Sequence, residues 1–131
     1  MKTFHVKIVT PKGIYRTDEI EMLNVRTSIG QIGILADHIP LASAIEISEM
    51  NIIKNGNREE FAIAGGFIYV NVDETTIIAN AIESQSEIDL ERAKDAKKRA
   101  QERIQHQNNI DMARAEAALK RAIVRIHVKD L

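Results

Sequence analysis

The sequence predicts an α+β chain, with an N-terminal antiparallel β-sandwich over residues 1–84 and an antiparallel two-helix hairpin over residues 85–131. Three observations predict it. Short apolar–polar alternations separated by turn signals fill the first part, the pattern of a sandwich or barrel. From Leu90 the apolar period lengthens to that of a helix. The charge divides at the same place: Met1–Glu87 holds 7 Lys+Arg against 12 Asp+Glu, and Ile88–Leu131 holds 11 against 7. A net of −5 thus stands beside a net of +4, which suggests two parts with different electrostatic partners.

The elements follow in order. "TFHVKIV" alternates with Phe4, Val6 and Ile8 on one face, and "TPKG" (Thr10–Gly13) is a turn in which Pro sets φ and Gly permits a positive one. "IEMLNV" (Ile20–Val25) is the next strand. "GQIGILADHIPL" reads as a structural loop, with Gly30 and Gly33 setting a tight path and Pro40 restarting a strand. "AIEISEMNIIK" runs into Asn55-Gly56, the strongest short hairpin signal there is. "REEFAIA" and "GGFIYVNV" flank Gly65-Gly66, a bulge or bend, and "TTIIANAIE" is the last strand.

In the hairpin, Leu90, Ala93, Ala96 or Lys97, Ala100 and Ile104 form the first apolar stripe. "QHQNN" (Gln105–Asn109) is the turn, Asp111 is an N-cap candidate, and Met112, Ala115, Leu119, Ala122 and Ile126 form the second stripe. Stripes rich in Ala bury little area, about 1 kcal/mol or less per Ala. The hairpin must therefore lean on something else, which makes it a candidate mobile element.

With 44% hydrophobic residues but only three Phe, two Tyr and no Trp, the core must be aliphatic. No window approaches the roughly 20 apolar residues of a membrane span, and "KTFHVKIVT" after Met1 has no long apolar run of the signal-peptide kind. The lack of cysteine removes disulfides and thiolate chemistry and makes a cytosolic address natural.

Enzyme readings fare badly. His5, His38, His106 and His127 show no metal-ligand spacing, and neither a nucleophile elbow nor a phosphate-binding glycine loop is present. No catalytic or metal-ligating residue is assigned. The hairpin arginines offer more. Arg92, Arg99 and Arg103 share one helix face, and Arg114, Arg121 and Arg125 repeat the spacing on the second helix. With a turn centred near Asn108, Arg92 faces Arg125, and Arg121 lies one turn below. Arg92 to Arg99 spans about 10 Å of axis, the reach of a nucleotide, and guanidinium forks suit phosphate. Asp89 and Glu83 stand on the other side of Arg92 as acceptors for a base's amino group.

The same charges suit an ordinary solvated helix. Asp95/Arg99 and Glu116/Lys120 are i,i+4 pairs, and Ser86 with Asp89 resembles a capping box. Nucleic-acid binding is disfavoured, because the basic face lacks aromatics and seven carboxylates dilute it.

Several segments in order resemble the epsilon subunit of bacterial F-type ATP synthases: "VTPKG", "GQIGILADHIPL", "AIAGGFIYV", "IDLERAKDAKKRA" and "RAEAALKRAIVRI". Ala36 stands where that family usually has Pro. The resemblance implies a non-catalytic central-stalk subunit on the cytoplasmic face of the cell membrane. Its sandwich would meet the gamma subunit and the c-ring, with the loop from Gly30 to Leu41 near the ring. Its hairpin would be a regulatory arm. Folded on the sandwich the arm permits turnover; extended along gamma it meets the catalytic alpha and beta subunits and blocks ATP hydrolysis.

Some members bind ATP through an Ile/Leu-Asp-x-x-Arg-Ala motif, here complete as Ile88, Asp89, Leu90, Glu91, Arg92 and Ala93. By resemblance, Glu83, Ile88 and Asp89 address the adenine end and Arg92, Arg99, Arg121 and Arg125 the phosphates. ATP is then a regulatory ligand, with no resident cofactor. The alternative is a structural and inhibitory rotor subunit that binds no nucleotide, its arginines meeting carboxylates of neighbouring subunits.

Overall fold

The computed structural model describes residues 2–106 and 111–131. Eight strands come first: β1 (Phe4–Thr10), β2 (Gly13–Ile20), β3 (Met22–Thr27), β4 (Gly30–Leu35), β5 (Leu41–Lys54), β6 (Asn57–Val70), β7 (Thr75–Ala79) and β8 (Ile82–Ser84). Two helices follow, α1 (Leu90–His106) and α2 (Met112–Lys129). The strands form one ladder in the order β2-β1-β7-β6-β5-β3-β4, with β8 paired to β6. Every pairing is antiparallel except β1 with β7, which is parallel.

A single ladder becomes a sandwich by folding across a corner. Along β6 the inward residues are Phe61 and Ile63 before Gly65-Gly66, but Ile68 and Val70 after it. The parity of burial changes there, so the two halves present opposite sides of the strand to the core. β5 changes parity alongside, between Ile45 and Ser48, while its register with β6 stays unbroken from Leu41↔Val70 to Lys54↔Asn57. The same register relates β6 to both β7 and β8, which meet at Asn80-Ala81. Gly65-Gly66 is therefore a bend shared by neighbouring strands, with no inserted residue. Its φ angles of 81° and 147° suit glycine, and a Cβ on Gly66 would lie 2.0 Å from the Ile78 carbonyl oxygen.

Between the layers lie Val6, Ile8, Ile20, Leu23, Ile34, Met50, Ile52, Phe61, Ile63, Ile68 and Ile77, all essentially solvent-free. This is the aliphatic core that the composition required. Asn55 and Gly56 both have positive φ, 53° and 76°, and close the β5–β6 hairpin as a two-residue turn of the mirror-image kind.

Two expectations change. The segment between "TPKG" and Ile20 is a full strand, β2, and the chain bends at Glu21 into β3. β2 lies at the ladder's edge with Ile14, Thr17 and Glu19 exposed, so its sequence carries no apolar stripe. The supposed loop from Gly30 is strand β4 as far as Leu35, with the loop confined to residues 36–40. β4 is the opposite edge, and only its Ile34 is fully buried. Edge strands of this kind hide among glycines and charges.

In the hairpin, Asp111 caps α2 by accepting from the Arg114 N–H at 3.1 Å. Gln105 and His106 belong to α1, and the rest of the expected turn, 107–109, lies outside the described residues. Ala93 and Ala100 of α1 and Ala115 and Ala122 of α2 are buried, giving a close small-residue seam, whereas Met112 is exposed. The arm leans on the sandwich through α2. Val128 and Val124 pack with Ile88 and Ala62 on the outer side of β6. Around them Lys120 approaches Glu46 (3.6 Å), His127 approaches Glu49 (3.3 Å) and Gln85 Nε2 donates to the carbonyls of Val128 (3.0 Å) and Leu131 (2.6 Å).

Candidate functional site

α1 stands off from the sheet, and the gap beneath it is a cleft of about 700 Å³. That is the size of a small-ligand site. One wall is the β1–β2 turn (Thr10, Pro11, Lys12) with Tyr15 of β2, and the corner Asn80–Glu83 adjoins it. The other wall is Glu87, Asp89, Arg92, Ala93, Ala96 and Arg99, with Arg125 reaching in from α2. The parallel pairing of Val9 with Ile78 brings the β1–β2 turn beside the β7–β8 corner.

Each polar group on this surface has a local cause. On β8, Ile82 and Ser84 point inward, so Glu83 between them faces out. Its Oε1 accepts from Arg125 Nε at 2.6 Å, tying α2 to the last strand. Glu87 accepts from the Ser84 N–H at 2.9 Å and from the Tyr15 hydroxyl. The Tyr15 hydrogen bond, followed by that from Ser84, holds the Glu87 carboxyl below its usual range. Burial, then the bond to Glu87, pushes the Tyr15 phenol up to about 12. Asp89 caps α1, its Oδ1 accepting from the Arg92 N–H at 3.1 Å. Ser86, expected to cap, bonds the Ser84 hydroxyl instead at 3.1 Å.

Six of the eight predicted site residues border the cleft: Glu83, Asp89, Arg92, Ala93, Arg99 and Arg125. Two do not. Ile88 is buried with Ala62 and Val128, where it helps seat α2 on the sheet. Arg121 is half-buried and outside the cleft, trailing Arg125 by about 40° around the helix axis. Residue spacing fixes its height along the helix and leaves open the side on which it emerges. Neither expected i,i+4 pair forms; Lys120 turns to Glu46.

Thr10, Pro11, Lys12, Tyr15 and Glu87 also border the cleft, and sequence reasoning missed them. Tyr15, one of two tyrosines and set in a strand of charged residues, was the one available hint. No group of His, Asp and Glu able to hold a metal occurs among the described residues, nor does a helix long and apolar enough to cross a membrane.

The two parts of the chain match two family models. Residues 3–85 match "ATP synthase, Delta/Epsilon chain, beta-sandwich domain", and residues 86–130 match "ATP synthase, Delta/Epsilon chain, long alpha-helix domain". The ATP synthase epsilon chain of Priestia megaterium is 43% identical over 104 residues, covering 79% of this chain and 78% of the relative. That of Bacillus thuringiensis (strain Al Hakam) is 42% identical over 105 residues, covering 80% and 79%. A chain of the Euglena gracilis mitochondrial ATP synthase OSCP/F1/c-ring structure superposes with a TM-score of 0.79 at 20% identity, covering 92% of this chain and 77% of that one. At that identity it supports the fold alone. Domain matches along the whole fold and close bacterial relatives together make this chain a member of the ATP synthase delta/epsilon family, on the epsilon-chain side.

Proposed function

We propose that this chain is the rotor subunit of an F-type ATP synthase central stalk, and that its helical arm is a regulatory element biased by ATP. One observation carries the regulatory part: the arm is docked chiefly through α2, which leaves a cleft between α1 and the sandwich where four cations meet three carboxylates. In the docked state the arm is kept from the catalytic alpha and beta subunits; extended, its net positive charge meets their acidic segments and ATP hydrolysis stops. ATP in the cleft favours the docked state, and it does so only through excess affinity for that state.

Two exposed apolar regions support the stalk assignment. Register places Ile14, Val9, Ile78 and Phe67 in one row across four strands on the outer face of the sandwich, a surface suited to the gamma subunit. Leu35, Ile39 and Val72 project from the loop end, which suits the c-ring. The subunit is then peripheral, on the cytoplasmic face of the membrane.

Titration calorimetry of the chain with ATP and then ADP tests the nucleotide reading. ATP is expected to bind more tightly than ADP, with Arg92→Ala lowering affinity by about one to two decades through loss of a charge-assisted contact. An absence of heat up to about 1 mM ATP overturns it. One feature favours the alternative of an arm that answers to its neighbours alone: Arg125 and Glu83 already satisfy each other at 2.6 Å. A ligand must share or displace that pair.

A further inference from the structure

The cleft has a wall that the arm does not supply. In the β1–β2 turn, Thr10 Oγ1 accepts from the Lys12 N–H (3.2 Å) and donates to the Gly13 carbonyl (3.4 Å), while Pro11 fixes its own φ. Lys12 borders the cleft from this stiff turn, opposite Arg92 and Arg99 of α1. Among the described residues, no carboxylate lies within ion-pairing distance of any of these three cations. Of the three carboxylates bordering the cleft, Glu83 is paired with Arg125, Glu87 is turned to the Tyr15 hydroxyl and the Ser84 N–H, and Asp89 is held on the Arg92 N–H as a helix cap. Four cations thus outnumber three carboxylates around the cleft, and the unpaired cations come from both bodies, one from the sandwich and two from α1.

A small anion would answer one such cation. Arg92 and Arg99 stand about 10 Å apart along the axis, and with Lys12 facing them the arrangement calls for an extended polyanion. Resting on the nucleotide reading above, we infer that Lys12 is a further ligand of the phosphate chain, and that this chain bridges α1 to the sandwich. α1 packs on α2 and scarcely touches the sheet, so the bridge supplies the contact that the fold omits. It also gives the ligand its preference between states. Lys12 and the arginines face one another only while the arm is docked, and the bridging contact vanishes on release.

The test uses the full chain in titration calorimetry with ATP, adenosine and inorganic tripolyphosphate as probes. Lys12→Gln is expected to weaken ATP about 10-fold and adenosine less than about 2-fold, with Lys12→Arg restoring most of the loss. Tripolyphosphate should compete with ATP on the wild type and less well on Lys12→Gln. Lys12 is exposed, so the ligand-free melting temperature of the variants should match the wild type and separate a binding loss from a folding loss. Wild-type ATP affinity in Lys12→Gln, or equal losses for ATP and adenosine, overturns the role of Lys12 and leaves the nucleotide reading standing. A wild type that binds no ATP overturns both.

Discussion

Tyr15 carries one of the few long-range ties between the first hairpin of the sandwich and the start of the arm, through its hydroxyl on Glu87. Its phenol, half-buried and donating to a carboxylate, is raised to about 12 from an ordinary 10.0. The unfolded chain therefore loses this proton first. Stability is fully present below pH 10.0, falls as pH rises through that window, and has lost the whole contribution above about 12. Denaturant titrations across the window should show Tyr15→Phe falling less steeply than the wild type; parallel profiles would mean that the phenol is not held. Every other ionisable group is common to both proteins, so the comparison between them isolates Tyr15. Single residues were unevenly legible. Asp111 announced itself as a cap because its signal is local. Lys12 gave no signal as a cleft residue and Tyr15 only its rarity, since their position depends on a parallel pairing between segments about 70 residues apart.

At the level of elements, α2 has two apolar faces with separate tasks. Ala115 and Ala122 meet α1, while Val124 and Val128 meet Ile88 and Ala62. The Ala-rich stripe was readable at helical spacing, and so was the need for outside support. Val124 and Val128 lie off that stripe, so which helix would dock, and by which side, was not readable. The edge strands β2 and β4 were missed for a related reason, because an edge buries too little to print an apolar period. Val128→Ala removes fully buried methyl groups from the small docking cluster and should cost about 2 kcal/mol. Hydrogen exchange should then speed up through α1 and α2 while β5 and β6 keep their protection. Faster exchange spread evenly over both parts would show that the arm and sandwich unfold as one unit.

At the scale of the whole molecule, the charge division seen in the sequence becomes a docking force. Lys120, Arg125 and His127 on α2 face Glu46, Glu83 and Glu49 on the strands. The Lys120–Glu46 pair is exposed and worth about 0–1 kcal/mol. The Arg125–Glu83 pair is half-buried and less screened, and His127 adds to them only when protonated. The exposed contacts weaken in salt. The apolar seat is small enough for that sum to matter. Raising salt from about 0.05 M to 1 M should increase proteolytic cutting between Gln85 and Asp89 before the sandwich loses any strand signal. Cutting that is independent of salt would assign the docking to the apolar cluster alone. The sequence told the sign of this attraction without its geometry, since it cannot say which of several carboxylates each cation will find.

Gln85 joins the two ends of the arm: its amide N–H groups reach Val128 and Leu131, and its carbonyl accepts from Lys129 Nζ at 3.0 Å. In polymer terms the docked arm is a closed ring, clasped at one residue where it leaves the sandwich. Ring opening releases conformational entropy that grows only slowly with contour length, so adding residues between α1 and α2 would shift the balance far less than unfastening the clasp. Residues 85 and 131 also become a ruler. They are in contact while the ring is shut, and α2 alone is about 27 Å long once it swings away. One distance, measured within a single subunit, thus records which way the arm lies.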